Sequence, residues 1–276
     1  MTQSIVKDIQ PKVNFQRSDI SRRLLTEAQS LPWTHQIPSP EDTLSFCTSM
    51  KNGRKAPKLR IPELAVLTSW SVNNKTQLLF ITSKSLQASK DFTIDLANII
   101  HGSLAPTIWV LRHSAYWEPR PTYVSILKSI TLQALRLFPS CLTIKVPLSS
   151  AQLLEAEDET DWIRILNRIL QGTERVYIVL DAEIVALAGN HDRYKVSCWL
   201  SSLMQIVQDV CALKIFVSGT VIDKAYISRE WESVSWSELT TEYVVPKHQP
   251  PQSINTLRLI QMQSAQRRMG IKQRRR

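Results

Sequence analysis

The segment Val176-Tyr177-Ile178-Val179-Leu180-Asp181 constrains the fold of this chain more than any other feature. Its apolar run has the length and the β-branched composition of a strand that is covered on both faces. The run ends at Asp181, so the strand would present a carboxylate at its C-terminal end. Ligands of open parallel sheets bind at that end of the strands. The segment therefore predicts a buried strand and a candidate site residue at the carboxyl edge of a sheet.

Short apolar runs alternate with longer helical segments from Leu64 to about Ile222. The runs with strand length and β-branched enrichment are Leu78–Thr82, Thr107–Leu111, Leu142–Val146, Val176–Asp181 and Lys214–Ser218. Apolar residues at helical spacing predict helices at Pro121–Phe138, Asp161–Leu170 and Asp192–Val210, with Thr160 as candidate N-cap of the second. Strands that alternate with helices favour βαβ units, so we expect an α/β domain with a mainly parallel sheet.

Two polar extensions flank this α/β region. The first carries several prolines, two predicted short helices near Ser18–Ser30 and Pro40–Lys51, and a basic linker over Lys51–Arg60. The second contains further prolines and ends in an arginine-rich tail. We therefore divide the chain into a partly helical N-terminal extension (1–63), an α/β domain (64–222) and a C-terminal extension with a basic tail (223–276).

The composition excludes several classes of protein. Hydrophobic residues make up 43% of the 276 residues, which is enough for a sizeable core. No apolar stretch reaches the roughly 18 residues of a membrane helix, and the N-terminus lacks the apolar segment of a signal peptide. The four cysteines and five histidines show no metal-ligand spacing, and Cys198 and Cys211 lie in apolar contexts that predict buried thiols. We expect a cytoplasmic protein without membrane contact.

The net charge of +10 is concentrated at the C-terminus. Six positive charges lie in the last ten residues, which leaves +4 on the rest of the chain; they belong to Arg267, Arg268, Lys272, Arg274, Arg275 and Arg276. Such a cluster is typical of a nuclear localisation signal or of an arm that binds nucleic-acid phosphates. It contains no aromatic residue on which bases could stack. Nuclear location and nucleic-acid binding are therefore alternatives to a simply solvated terminus.

The segment after the first predicted strand lacks the glycines of a phosphate loop. Such a loop turns successive backbone N–H groups inward, a lysine then reaches the outer phosphates, and a hydroxyl residue holds magnesium. Against the pattern G-x-x-x-x-G-K-[ST], Lys84 and Ser89 replace the glycines and Asp91 replaces the hydroxyl residue. Only Lys90 matches. We expect a loop that ends at Lys90 and a helix from Asp91 to about Ile100.

The order of these segments resembles the NACHT-type STAND NTPases, particularly the many fungal forms. The resembling residues are Trp70, the strand Leu78–Thr82, Thr107–Arg112, Ser125–Leu135, Val176–Asp181 and the strand Leu213–Ser218. The resemblance covers about Leu64 to Ile222. It implies a three-layer P-loop NTPase-like domain in which Lys90 contacts nucleotide phosphates and Asp181 holds magnesium.

The chain departs from that family after Asp181. The family carries a glycine and two further acids there, whereas Asp181 is followed here by Ala182-Glu183-Ile184-Val185. The missing glycines and the added carboxylate of Asp91 also oppose the binding of a polyanion. We therefore predict a degenerate and truncated family member, a pseudo-NTPase that binds nucleotide weakly or not at all and acts through protein contacts. ATP or GTP with magnesium is its candidate cofactor.

An active nucleotide hydrolase is the alternative prediction. It would bind ATP or GTP with magnesium, Lys90 would contact the phosphates, and Asp181 would hold the metal ion. Glu183, two residues after Asp181, would then orient the attacking water.

Overall fold

The computed structural model describes residues 23, 25–53, 64–72, 77–83, 86–112, 120–139, 148–171, 173–205, 212–219 and 237–241. Residues 23 and 25–29 are α-helical, and a 3-10 helix follows at Pro32–Gln36. The later α-helices are α1 (Pro40–Asn52), α2 (Leu64–Val72), α3 (Leu86–Gly102), α4 (Tyr123–Leu137), α5 (Ser150–Glu155), α6 (Glu159–Leu170), α7 (Ala182–Ala188) and α8 (Arg193–Gln205). The strands are β1 (Gln77–Ser83), β2 (Thr107–Val110), β3 (Arg175–Asp181), β4 (Ala212–Gly219) and β5 (Ser237–Thr241).

The strands of the described residues form one sheet in the order β2-β3-β4-β1-β5. Every pairing between them is parallel, with Val110 opposite Leu180 and Asp181 opposite Ser218. Parallel neighbours need crossover connections, and described helices lie between β1 and β2, between β2 and β3, and between β3 and β4. The predicted α/β class with a mainly parallel sheet is confirmed.

The strands that carry apolar runs lie where the sequence predicts them, within two residues at each end. The run Leu142–Val146 lies outside the described residues. Strand β5 was not predicted, because its sequence Ser237-Glu238-Leu239-Thr240-Thr241 lacks an apolar run. It pairs with β1, so the sheet extends beyond the boundary that the sequence suggests at position 222.

Both faces of the sheet are buried, as the two-residue period of strand β1 shows. Leu78 and Phe80 belong to a large apolar cluster with residues of α4, α6, α7 and α8. Leu79 and Ile81 belong to a second cluster with residues of α1, α2 and α3. Successive side chains of a strand point to opposite faces, so helices cover the sheet on both sides.

Helix α6 begins earlier than the sequence predicts. Its N-cap is Asp158, whose Oδ1 accepts a hydrogen bond from the backbone N–H of Asp161 at 2.9 Å. The predicted cap, Thr160, instead lies in the first helical turn. Aspartate caps a helix as well as threonine does, and this start places Glu159 and Asp161 in the first turn, where the helix dipole favours acids.

Helix α1, which lies in the predicted N-terminal extension, packs against the α/β domain. Its Lys51 forms an ion pair with Asp95 of α3. The indole N–H of Trp109, on β2, donates to the backbone carbonyl of Pro40 at 2.8 Å. Leu44 of the same helix is buried in the second apolar cluster. Part of the polar N-terminal region is therefore built into the fold.

Two cysteines of the described residues, Cys47 and Cys198, are free thiols. Cys47 is buried, but Cys198 is exposed, so the prediction for Cys198 was wrong. Helix α8 turns Trp199 and Leu200 into the core and leaves Cys198 on its outer side. Cys211 lies outside the described residues. No helix in the described part of the chain is long and apolar enough to cross a bilayer.

Candidate functional site

Four charged side chains meet at the carboxyl edge of the sheet. Asp181 is the last residue of β3, and Glu183 follows it in α7. Arg112 comes two residues after the end of the neighbouring strand β2, and Lys90 lies on α3, the helix that follows β1. Carboxyl ends of parallel strands lie on the same side of a sheet, which brings these four residues together.

Lys90 lies within helix α3 and not at the end of a loop. Strand β1 ends at Ser83 and α3 begins at Leu86, so two residues separate the two elements. The prediction of a helix that starts at Asp91 was therefore wrong. The segment 86–90 consists mostly of good helix formers and contains neither glycine nor proline, so nothing in it stops the helix from starting early.

Asp181 joins the end of β2 to the start of α7. It is 5% exposed, and both of its carboxylate oxygens accept backbone hydrogen bonds. Oδ1 accepts from the N–H of Glu183 at 2.9 Å, and Oδ2 accepts from the N–H of Arg112 at 3.4 Å. The first bond makes Asp181 the N-cap of α7. Its carboxylate thus fixes the backbone of the two residues whose side chains meet beside it.

Burial raises the pKa of Asp181 to about 6. The positive charges of Lys90 and Arg112 and the N–H of Arg112 act in the opposite direction, because they favour the ionised carboxylate. Asp181 is therefore mostly ionised at neutral pH, and it takes up a proton as the pH falls through about 6.

Glu183 bridges the two cations of the cluster. One carboxylate oxygen forms an ion pair with Lys90 Nζ and the other with Arg112 Nη1. The Glu183 side chain is 16% exposed, compared with 27% for Lys90 and 31% for Arg112. With Asp181 ionised, the two positive and two negative charges of these four described residues balance. These four residues together thus offer no excess positive charge to an anion.

Arg112 is the site residue that the sequence did not predict as functional. Its position directly after a predicted strand was the available signal. That signal becomes specific only when β2 is known to pair with β3, since this pairing sets Arg112 beside Asp181. Asp91, which we expected to repel a polyanion, is 2% exposed and accepts a hydrogen bond from Gln87 Nε2 at 2.9 Å.

The cluster as folded does not fit a magnesium nucleotide. Both oxygens of Asp181 already accept backbone N–H groups, and Lys90 is already paired with Glu183. The described residues contain no group of three or more histidines, cysteines or acids that could hold a metal ion. A nucleotide would have to displace existing contacts before it could bind here.

The arginine-rich tail (Arg267, Arg268, Lys272, Arg274, Arg275 and Arg276) lies outside the described residues, and its nucleic-acid role stays a prediction. The chain matches no protein-family model, no curated protein and no solved structure. What the fold and the cluster define is a parallel α/β protein with a charge-balanced ionic cluster at the carboxyl edge of its sheet.

Proposed function

We propose that this chain is a non-catalytic, NACHT-like relative of the P-loop NTPases that acts through contacts with other proteins. Three features support a P-loop NTPase-like domain: helices on both faces of a parallel sheet, a lysine on the helix after β1, and an aspartate at the end of β3. Any nucleotide binding that remains is weak. Protein partners follow from this proposal, because a domain without turnover must act through what it contacts.

The connection between β1 and α3 carries this proposal. A phosphate loop needs several residues whose N–H groups converge on the anion, and glycines usually supply their dihedral angles. Here two residues link Ser83 to Leu86, and neither is glycine. Lys90 then falls on the second turn of α3, where it pairs with Glu183. The site keeps a lysine but lacks the loop that would cradle phosphates.

Calorimetric titration of the full chain with Mg-ATP and Mg-ADP tests the proposal. We expect no binding in the micromolar range, because the cations of the cluster are neutralised by carboxylates. Lys90→Ala removes the lysine of the cluster, and Lys195→Ala is the matched control on the exposed side of α8. Micromolar affinity that Lys90→Ala abolishes and Lys195→Ala preserves would contradict the proposal.

An active hydrolase is the second candidate, and the convergence of Lys90, Asp181 and Glu183 at one edge favours it. The three residues predicted for hydrolysis do lie in contact with one another or with a common neighbour. Release of inorganic phosphate from ATP or GTP, measured on the full chain, tests this candidate. Turnover that Glu183→Gln abolishes would support it, and absence of turnover in the unmodified protein would exclude it.

A further inference from the structure

Glu183 makes the contacts that an oxyanion would make at this edge. Its two oxygens engage two cations that come from different elements, Lys90 from α3 and Arg112 from the end of β2. Lysine and arginine are also the side chains with which proteins hold phosphate groups, through charge-assisted hydrogen bonds. A bridging carboxylate and a bridging phosphate therefore compete for the same donors.

The carboxylate of Glu183 is held in place by the backbone as well as by the cations. The N–H of Glu183 donates to Asp181, which fixes the first turn of α7 at the end of β3. The two cations keep about a third of their side-chain surface exposed, at 27% for Lys90 and 31% for Arg112. An anion from solvent could thus reach both cations if the Glu183 charge were absent.

We infer that Lys90 and Arg112 form a latent phosphate-binding pair and that Glu183 blocks this pair from within the chain. This inference rests on the proposed function, because it takes the carboxyl edge to be a former phosphate site. Neutralising Glu183 would remove the carboxylate charge that bridges these two cations. The ligand class is a phosphate or pyrophosphate group, either free or carried by a nucleotide.

Titration with pyrophosphate, followed by calorimetry on the full chain, tests the inference. Glu183→Gln keeps the shape of the side chain and removes its charge, and the exposed Glu174→Gln is the matched control. We expect Glu183→Gln to bind pyrophosphate at least about tenfold more tightly than the unmodified chain, since charged hydrogen-bond partners are released. Glu174→Gln should leave the affinity unchanged, and adding Arg112→Ala to Glu183→Gln should abolish the gain.

Glu183→Ala is the second variant, because it leaves no amide group without a partner, and circular dichroism checks that each variant is folded. Equal affinity in the unmodified chain and in the folded variants overturns the inference. A second outcome also overturns the inference, and it is tested without any substitution at Glu183. In this outcome the unmodified chain binds pyrophosphate with micromolar affinity and Lys90→Ala loses that binding. Failure of the proposed function is distinguishable from failure of this inference. It would be detected as binding of Mg-ATP, or as nucleotide turnover, by the unmodified protein.

Discussion

Asp181 is a buried carboxylate whose protonation contributes to the pH dependence of stability. Burial raises its pKa from 3.8 to about 6, so the folded state holds this proton more tightly than the unfolded state. Between about pH 4 and 6 the contribution of Asp181 therefore lowers the free energy of unfolding as pH rises, and above pH 6 the contribution is constant. A shift of this size corresponds to about 3 kcal/mol.

Urea unfolding of the unmodified chain and of Asp181→Asn at pH 4, 5, 6 and 7 gives the free energies of unfolding that test this prediction. Asparagine does not ionise, so Asp181→Asn does not lose this contribution as the pH rises. Its free energy of unfolding relative to that of the unmodified chain should therefore increase by up to about 3 kcal/mol from pH 4 to pH 7. Asn also loses one of the two acceptors for the N–H groups of Arg112 and Glu183. That loss shifts the variant equally at every pH and leaves the slope intact. A difference that stays constant with pH would contradict the assignment.

Gly189, which ends helix α7, has no room for a side chain. A Cβ atom at this position would clash with the hydroxyl of Tyr123. The Tyr123 ring cannot easily move, because it is stacked on Trp199 with 5.0 Å between ring centroids. We expect Gly189→Ala to lower the free energy of unfolding by about 1–3 kcal/mol. Thermal and urea unfolding measure this effect.

Gly102→Ala is the matched control for this substitution, because a Cβ there meets no atom within 4 Å. It should be neutral or slightly stabilising, as alanine favours a helix more than glycine does. Tyr123→Phe should rescue Gly189→Ala, since it removes the clashing hydroxyl, which has no hydrogen-bond partner in the described part of the chain. If the double variant is no more stable than Gly189→Ala, the clash is not the cause.

At the scale of elements, helix α4 completes the edge of the sheet. Among the strands that the structure describes, β2 is the outermost on its side, and the side chain of Gln133 pairs with the Trp109 backbone there. Gln133 Oε1 accepts from the N–H of Trp109 at 3.1 Å, and Nε2 donates to its carbonyl at 2.9 Å. One amide side chain thus takes the place of a neighbouring strand and covers an edge that could otherwise pair with another chain.

We expect Gln133→Leu to lower the free energy of unfolding by about 2–4 kcal/mol, because two buried backbone groups would lose their partners. Gln171→Leu, at an exposed position after α6, is the control and should change little. Urea unfolding gives the stabilities, and sedimentation at several concentrations shows whether the uncovered edge promotes association. If the two variants have equal free energies of unfolding, water replaces the hydrogen bonds of the Gln133 amide without a loss of stability.

The elements that the sequence predicted are those whose local pattern decides their structure. The apolar run of β3 and its terminal Asp181 could be located directly. Lys90 was found by alignment to the phosphate-loop pattern, and Glu183 by its position after Asp181. The polar strand β5 could not be predicted from its local sequence, because it is a strand only through pairing with β1, which lies far away in the chain. The same holds for Arg112, which joins the cluster only because β2 lies beside β3.

At the scale of the whole molecule, the charge distribution predicts how the chain meets polyanions. Six of the ten net positive charges lie in residues 267–276. We expect the full chain to bind duplex DNA without sequence preference at low salt. Deleting residues 267–276 should reduce the slope of log affinity against log salt concentration by up to about five, as each phosphate contact contributes about 0.9.

Fluorescence anisotropy with a labelled duplex at several salt concentrations gives both slopes. Lys195→Ala, which removes one exposed charge from the described part of the chain, controls for the loss of a single cation. An unchanged slope after the deletion would show that the tail makes no phosphate contacts.

The position of β5 next to β1 has a consequence for the synthesis of the protein. Strand β1 lies between β4 and β5, and about 150 residues separate the end of β1 from the start of β5. At about 5–20 residues per second, a ribosome needs roughly 8–30 seconds to make that stretch. During this time the strand Gln77–Ser83, with its apolar centre, has no partner on its outer side. We expect this unpaired edge of β1 to be most open to aggregation or to chaperones between the synthesis of β1 and that of β5.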